Sequence, residues 1–165
     1  MFTYRKATIE DLNKIWDKDI VDNQGDERYI RWKQRYIEDN NLGKCATFVV
    51  LNEDDPIGQI TVLFSPECAT VLNKPLLCNG VDTANMNAFR IEKCYEGQGH
   101  ISKLVKMAEE YSKQKGIQYL TIGSEAKESR NLGIYLHFGY TKFIMHEIYE
   151  EDEEESLVVY YQKEL

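Results

Sequence analysis

The sequence has few cysteines and prolines and no long apolar run. Its four cysteines form no C-x-x-C pair and have no histidine at metal-ligand spacing, which argues against a metal site and against a disulfide framework. No stretch of about 18 apolar residues occurs, which argues against a membrane-spanning helix. The chain does not open with a basic segment followed by an apolar run, so we expect a cytoplasmic protein with free thiols.

An excess of positive charge is also missing. The chain has 20 Lys+Arg against 28 Asp+Glu, a net charge of -8, and the consecutive acids from Glu150 to Glu155 account for most of it. A phosphate backbone would be repelled by this surface, which argues against nucleic-acid binding. We predict that the acidic run is a solvated hairpin turn; attraction of a polyamine or a basic peptide is the alternative.

What is present is the composition of one globular domain. Apolar residues make up 42% of the 165 positions and aromatic residues 12%, and no internal repeat occurs. A chain of this length buries enough surface for a core and a cleft. We therefore expect a single domain over residues 1–165.

The first part of the chain predicts a strand, two helices and a hairpin. A capping box at Thr8 to Asp11 predicts a helix with Leu12, Ile15 and Trp16 on one face, and Asp26 is expected to cap a second. β-Branched and apolar runs around a turn predict the hairpin. The strands are expected at Phe2 to Lys6, Cys45 to Leu51 and Ile57 to Phe64.

The second part alternates strands with single helices. The stretch from Ser65 to Met86 reads as a long loop with substrate contacts. The expected elements after it are a strand at Asn87 to Lys93, a helix from Gly99 to Lys115, a strand at Gln118 to Ser124, a helix from Ser129, and strands at Thr141 to Ile148 and Ser156 to Gln162. This order predicts a mixed α+β sheet with a parallel pair around the first of these helices. The run Leu157 to Tyr161 is a candidate for pairing between subunits, so a monomer or a homodimer is expected.

The glycines at Gly97 and Gly99 stand between a strand and a helix. Glycine allows a tight turn with positive φ, and the first amides of a helix converge with the positive end of its dipole. The segment therefore predicts an anion site, although an ordinary strand-to-helix turn explains the spacing equally well. It is neither a Walker loop nor the dinucleotide fingerprint, because a Gly-Lys-Ser/Thr sequence and a third glycine are both missing.

Together with the downstream segment from Glu128 to Tyr140, this loop resembles the GNAT superfamily of acetyl-CoA-dependent N-acetyltransferases. The order is the same: a phosphate loop, a helix, a strand, a short helix with Leu-Tyr, and a Gly-aromatic pair. Two positions depart from the family pattern. Glu96 stands where Arg or Gln is usual, and Ile101 replaces a small residue.

The resemblance implies a central mixed, mostly antiparallel sheet with a splayed parallel strand pair and flanking helices. It also implies that acetyl-CoA is the acetyl donor, that no metal takes part, and that the pantetheine arm lies between the splayed strands. The implied cofactor-binding residues are Ile91, Glu92, Lys93, Gly97, Gln98, Gly99, His100, Ile101, Ser102, Asn131 and Tyr135.

Tyr135 resembles the acid that protonates the departing thiolate. Its unperturbed pKa of about 10 keeps a phenol protonated at neutral pH, whereas the spacing alone would make Tyr135 a core aromatic. The arriving ammonium must lose a proton, which requires a carboxylate or a water chain ending on one. Glu92 and Glu125, each at the end of a strand, are the candidates, with Glu92 preferred.

The resemblance implies an N-acetyltransferase in which an amine of a small molecule or peptide attacks the thioester directly. The alternative on the same fold is a non-catalytic module that binds or senses an acyl-CoA; a transferase for a longer acyl chain is a further reading. The acidic surface favours a cationic amine, yet antibiotics, polyamines, amino acids and protein N-termini all fit.

Overall fold

A computed structural model describes residues 1–151 and 154–165, and within them the chain forms one seven-stranded sheet. The strands are β1 (Phe2–Lys6), β2 (Cys45–Asn52), β3 (Asp55–Leu63), β4 (Thr83–Ile91), β5 (Tyr119–Glu125), β6 (Lys142–Glu151) and β7 (Glu154–Glu164). Their spatial order is β1-β2-β3-β4-β5-β7-β6, and β4 with β5 is the parallel pair. The mixed α+β fold is confirmed. Residues 152 and 153, at the centre of the predicted acidic turn, lie outside the described residues.

Helices cover both faces of this sheet. They are α1 (Ile9–Asp22), α2 (Arg28–Asn41), α3 (His100–Gln114) and α4 (Ser129–His137), and short 3₁₀ turns occupy Ala69–Val71 and Lys93–Tyr95. Within residues 1–151 and 154–165, no helix has the length and apolarity needed to cross a membrane.

The starts of the first two helices differ. The predicted capping box at α1 is confirmed: the Thr8 hydroxyl accepts from the Asp11 amide at 3.2 Å, and the Asp11 carboxylate accepts from the Thr8 amide at 2.7 Å. The predicted cap of α2 is wrong by one position, because Glu27 is the N-cap residue. Asp26 instead accepts from the Arg28 amide at 3.0 Å and pairs with the Arg28 guanidinium.

Strand β4 begins at Thr83 rather than at Asn87, so the predicted loop is shorter than the sequence suggested. Its polar residues concealed the strand. Asn85 is buried and donates to the Thr121 hydroxyl at 2.9 Å, and that hydroxyl donates to the Leu77 carbonyl at 2.8 Å. These hydrogen bonds make burial of the polar side chains tolerable.

The parallel pair separates part-way along its length. Pairing of β4 with β5 ends at Met86 and Ile122, after which β4 continues along β3 and β5 continues along β7. A bulge lies at the separation: Ala88 has a φ of 49°, a left-handed conformation that costs about 1–2 kcal/mol for a residue with a Cβ. The Asn87 side chain accepts from the Ala88 amide at 2.7 Å and supports this conformation. A gap therefore opens between the two strands.

Two apolar clusters hold the sheet from opposite faces. On one face, the α3 residues Leu104, Val105 and Ala108 pack with Tyr135 and Tyr140. On the other, Leu12 and Trp16 of α1 and Tyr36 of α2 pack with Tyr160 and three buried cysteines, Cys45, Cys68 and Cys78. The gap between β4 and β5 therefore lies between the two packed faces of the sheet.

Strand β7 lies inside the sheet, although pairing between subunits would require it at an edge. Strand β7, which contains Leu157 to Tyr161, pairs with β5 on one side and β6 on the other. Its backbone groups are therefore used within the chain, and the proposed pairing of this run between subunits is wrong. The edge strands of the described sheet are β1 and β6.

Candidate active site

The glycine loop forms one wall of a cavity of about 590 Å³, here called the loop cavity; α4 and the end of β4 form the others. Gly97 and Gly99 have φ values of 74° and 83°, which explains why glycine is needed at both positions. Helix α3 begins at His100, directly after the loop. Its first backbone N–H groups have no intrahelical acceptor, so the loop cavity has the backbone donors that a phosphate group requires.

The charges at this cavity come from an unexpected pair. Arg130, at the start of α4, lies 2.8 Å from the carboxylate of Glu96, and the Arg130 side chain is 73% exposed. Arg130 therefore brings a positive charge to the loop from another element, and the carboxylate of Glu96 partly offsets that charge. The sequence did not reveal this role, because the two residues are far apart in the chain.

His100 lies in the same cavity but supplies no charge. It is 4% exposed among Phe2, Tyr4 and Tyr95, and its Nδ1 shares a hydrogen bond of 2.7 Å with the Tyr4 hydroxyl. Burial, with a smaller contribution from Lys103, lowers the pKa of His100. The imidazole is therefore neutral at pH 7, and its buried Nε2 has no hydrogen-bond partner within the described residues.

The structure gathers most of the predicted cofactor-binding residues around the loop cavity. Those that line it are Ile91, Gly97, Gly99, His100, Ile101, Ser102 and Asn131. Glu92 and Lys93 line a separate cavity beside α1, and Gln98 is exposed, with its amide donating to the Cys94 carbonyl at 3.3 Å. The loop cavity also contains Tyr95, Arg130 and His137, which sequence reasoning missed.

Tyr135 lies at the gap between β4 and β5. Its ring packs edge-on against Phe89 with centroids 5.3 Å apart, and it lines a cavity of about 140 Å³ that fills the gap. Within the described chain its hydroxyl makes no hydrogen bond. Burial raises the pKa of Tyr135 to about 12, so the phenol is protonated at neutral pH. The Tyr135 hydroxyl is thus a donor without an acceptor among the described residues.

The two carboxylates predicted as bases are not at the gap. Glu92 forms an ion pair with Lys18 at 2.8 Å and belongs to the separate cavity beside α1. Glu125 accepts from the Ser156 hydroxyl at 3.0 Å and pairs with Lys127 at 3.3 Å. The structure therefore does not bring either carboxylate together with Tyr135. Across the residues it describes, no His, Cys, Asp and Glu side chains group as a metal site.

A second large cavity, of about 460 Å³, lies on the opposite face of the sheet and is here called the aromatic cavity. Its aromatic lining residues are Trp16, Tyr29, Trp32, Tyr36, Tyr149 and Tyr160. Ala69, Thr70 and Lys74 contribute from the segment in which substrate contacts were predicted. The sequence did not identify the remaining lining residues as parts of a site, because α1, α2, β4, β6 and β7 bring them together only in the folded chain.

One carboxylate, Glu147, lies in the aromatic cavity. It accepts from the Tyr160 hydroxyl at 2.5 Å and pairs with the Lys74 ammonium at 2.9 Å. Burial opposes ionisation of this carboxyl, but the Tyr160 and Lys74 contacts outweigh burial and lower the pKa of Glu147. Burial and the adjacent carboxylate raise the pKa of Tyr160. Glu147 is therefore ionised and Tyr160 is protonated.

The gap lies between the loop cavity and the aromatic cavity and shares lining residues with each. Phe89 lines both the loop cavity and the gap. Thr70, Asn87, Ala88, Val158 and Tyr160 line both the gap and the aromatic cavity. A molecule seated at the glycine loop can therefore meet a second molecule that enters from the opposite face, beside the Tyr135 hydroxyl.

A glycine loop at the start of a helix and a splayed parallel strand pair are the features that the predicted family resemblance requires. Residues 9–140 match the family model described as the acetyltransferase (GNAT) family. Because this match spans most of the sequence, the chain belongs to the GNAT family of acetyltransferases, as the resemblance predicted, and it is an acyltransferase. No relative was found among curated protein sequences.

Solved structures share this fold over nearly their whole length. A ribosomal-protein-alanine N-acetyltransferase from Brucella melitensis is 15% identical, with 99% of each chain covered and a TM-score of 0.74. An N-acetyltransferase from Staphylococcus aureus Mu50 is 17% identical, with 99% of this chain and 98% of that chain covered and a TM-score of 0.73. The PaiA N-acetyltransferase from Thermoplasma acidophilum, solved with coenzyme A, is 15% identical, with 100% and 99% covered and a TM-score of 0.63.

Proposed function

We propose that this chain is an N-acetyltransferase that moves the acetyl group of acetyl-CoA to a primary amine of a small molecule or peptide by direct attack. The observation that carries the proposal is the gap lined by Tyr135, which shares lining residues with the loop cavity on one side and with the aromatic cavity on the other. A transferase without a covalent intermediate needs such a meeting place for two substrates.

The loop cavity fits the phosphates of acetyl-CoA. The amides that follow Gly97 and Gly99 have the geometry of an anion site, and Arg130 adds a positive charge that Glu96 does not supply. From there the gap between β4 and β5 leads to Tyr135. Backbone groups of β4 that no longer pair with β5 are available to hold the pantetheine arm.

Tyr135 acts as the acid in this proposal. After the ammonium has lost one proton, the amine lone pair forms the C–N bond, the C–S bond breaks, and the sulfur takes the Tyr135 proton. The nitrogen of the new amide then loses its second proton, which returns through water to the Tyr135 phenolate. The ammonium proton leaves through water, because neither Glu92 nor Glu125 lines the gap. The raised pKa keeps the Tyr135 phenol protonated, so its O–H is available to the sulfur as the C–S bond breaks. A thiol is ordinarily more acidic than this phenol, so the transfer requires a thiolate that is poorly solvated in the gap.

The proposed location is the cytoplasm, and the proposed assembly is a monomer or a homodimer. Three of the cysteine thiols are buried without forming disulfides, which suits a reducing compartment.

The test compares Tyr135→Phe with Tyr119→Phe, a change at the start of β5 outside the three cavities. Release of the coenzyme A thiol is followed with acetyl-CoA and a panel of primary amines. Loss of the acid is expected to lower kcat by about 10²–10⁴-fold while the Kd of coenzyme A stays the same. An unchanged kcat would contradict the role of Tyr135. Absence of turnover in the unmodified protein, with coenzyme A bound, would favour the non-catalytic module.

A further inference from the structure

The aromatic cavity has two distinguishable parts. The residues that it shares with the gap, among them Asn87 and Tyr160, mark the part that faces the thioester. Tyr29, Trp32 and Arg35 of α2 line the aromatic cavity alone and so mark the part farther from the gap. A ligand that spans the cavity would therefore have one end at Tyr160 and the other at α2.

The inner part is built to hold an amine. The Tyr160 hydroxyl uses its proton on Glu147, so its oxygen is left as an acceptor. The Asn87 side-chain oxygen already accepts from the Tyr36 hydroxyl at 2.9 Å. An ammonium group beside Tyr160 also lies close to the negative charge of Glu147, which favours its binding before it loses a proton.

Several aromatic rings form part of the walls of the cavity. Trp16 and Tyr36 are stacked with centroids 5.1 Å apart, and Tyr29 and Trp32 meet edge-on at 4.8 Å. Trp16 and Tyr36 are buried, while Tyr29 and Trp32 are only partly covered and so offer their surface to a ligand. Aromatic pairs gain energy beyond simple burial, so these rings favour a ligand with a planar apolar body.

Each tryptophan already has a cation of the chain itself against one face of its ring. The Arg90 guanidinium lies 4.8 Å from the Trp16 ring, and the Arg28 guanidinium lies 5.7 Å from the Trp32 ring. An aromatic cage for an additional cation would leave these ring faces open. The arrangement therefore does not favour an acceptor with several positive charges.

The lining also has more positive than negative groups. Lys74 is paired with Glu147, and Arg90 is paired with Asp19. Arg35 has no ion pair or hydrogen bond to any residue that the structure describes. Glu150 and Glu155 of the acidic hairpin are not among the lining residues. Arg35 is exposed at the outer part of the cavity, and Asp39, one turn further along α2, is the carboxylate that interacts with it electrostatically. The Arg35 guanidinium is therefore available to a carboxylate of the ligand.

From these observations we infer that the aromatic cavity is the acceptor site and that it takes a small primary amine joining an aromatic ring to a carboxylate, as an aromatic amino acid does. The inference rests on the proposed function and gives its acceptor a chemical class. The amine lies at Tyr160, the ring lies against Trp32 and Tyr29, and the carboxylate binds Arg35. The volume of about 460 Å³ falls within the usual range for small-molecule sites, about 300–1,000 Å³.

Intrinsic tryptophan fluorescence can follow binding at this site, because both tryptophans of the chain line the aromatic cavity. Tryptophan fluorescence is titrated with phenylalanine, phenethylamine, hexylamine and spermidine in the absence of acetyl-CoA. Phenylalanine is expected to change the signal saturably. Phenethylamine, which lacks the carboxylate, should bind about tenfold more weakly, as for loss of one charge-assisted hydrogen bond. Hexylamine should bind more weakly still, and spermidine should give no saturable change.

Arg35→Gln should abolish the difference between phenylalanine and phenethylamine. Arg31→Gln, an exposed arginine on the same helix outside the cavity, should preserve it. Equal binding of phenylalanine and phenethylamine in the unmodified protein, tighter binding of spermidine, or no response to any of the four probes would overturn the inference.

Thiol release from acetyl-CoA, measured on the same amines, separates this inference from the proposed function. Saturable binding of phenylalanine with no turnover of any amine would contradict the proposed function and leave the ligand class of the cavity intact. Turnover of spermidine but not of phenylalanine would contradict the ligand class and leave the proposed function intact.

Discussion

The loop cavity and the aromatic cavity lie on opposite faces of one sheet and are built in different ways. The loop cavity takes most of its residues from one short segment, the end of β4 with the following loop and the start of α3, and the rest from α4. The aromatic cavity takes side chains from α1, α2, the turn near Thr70, β4, β6 and β7. A donor site can thus be a local property of a sequence, whereas this acceptor site is a property of the folded chain.

The two cavities also differ in the groups that do the binding. At the loop cavity the main donors are backbone amides, which every residue type provides, so substitutions such as Glu96 and Ile101 leave the binding geometry in place. At the aromatic cavity the rings, Glu147 and Arg35 are all side chains. Changes there should alter which amine binds, and changes at the loop should alter how tightly coenzyme A binds.

A substitution at Gly123 should have the largest effect on turnover, because it disturbs the gap between the two cavities. Gly123 faces Tyr160 in the sheet register, and a Cβ built on it would lie 2.4 Å from the Tyr160 ring. Gly123→Ala should therefore displace Tyr160, lower kcat/KM about 100-fold, and destabilise the fold by about 1–3 kcal/mol. Steady-state kinetics and chemical denaturation measure both effects.

The control for Gly123→Ala is the Kd of coenzyme A from calorimetry. It should change much less than kcat/KM because the loop cavity is untouched, although Gly123 also lines the gap. An equal loss of coenzyme A affinity and of turnover would show that the two cavities are not separable in the way described.

The ion pair between Glu96 and Arg130 tests whether charge at the loop cavity controls the affinity for coenzyme A. Glu96→Gln frees Arg130 and should tighten coenzyme A binding, while Arg130→Gln removes the charge and should weaken it. Because the pair is largely exposed, each change is expected to alter Kd only about two- to fivefold. Calorimetric titration at low ionic strength measures both, and Lys127→Gln, a nearby exposed cation outside the loop cavity, serves as the matched control. Shifts of the same sign in both variants would contradict this role of Arg130.

His100 should produce the smallest effect, on stability rather than on turnover. Its pKa is lowered in the folded chain, so the unfolded chain binds the proton more readily. Stability from this residue is complete above the unfolded pKa of about 6.5 and is lost as pH falls toward the lower folded value. His100→Phe should therefore lessen the decrease in unfolding free energy between pH 7 and pH 5, by at most about 1.4 kcal/mol per pH unit. Denaturation at several pH values measures this slope, and identical slopes would show that His100 does not titrate in this way.

Much of the fold could be predicted because its signals are local. The capping box at Thr8, the hairpin around Asn52 to Asp55 and the apolar stripe of α3 each depend on neighbouring residues. Strand β4 was predicted to start too late because Asn85 looks unsuited to a buried strand until its partner Thr121 is known.

Residues of the site, too, could be predicted only where their signal was local in the sequence. The glycines of the loop and Tyr135 could be selected from the sequence through the family resemblance. Arg130 could not, because its place beside Glu96 depends on how α4 packs. Glu147 could not be distinguished from the other acids of β6, since only the fold places it between Tyr160 and Lys74.

The central claim is that the loop cavity binds acetyl-CoA although Glu96 replaces the usual positive charge. Isothermal titration of the purified protein with acetyl-CoA and, separately, with coenzyme A tests it most directly, with Gly99→Val as the strained-loop control. The account predicts saturable binding of both near the micromolar range, on the order of -8 kcal/mol, and marked weakening in Gly99→Val. Absence of binding by either ligand, or equal binding by Gly99→Val, would contradict it.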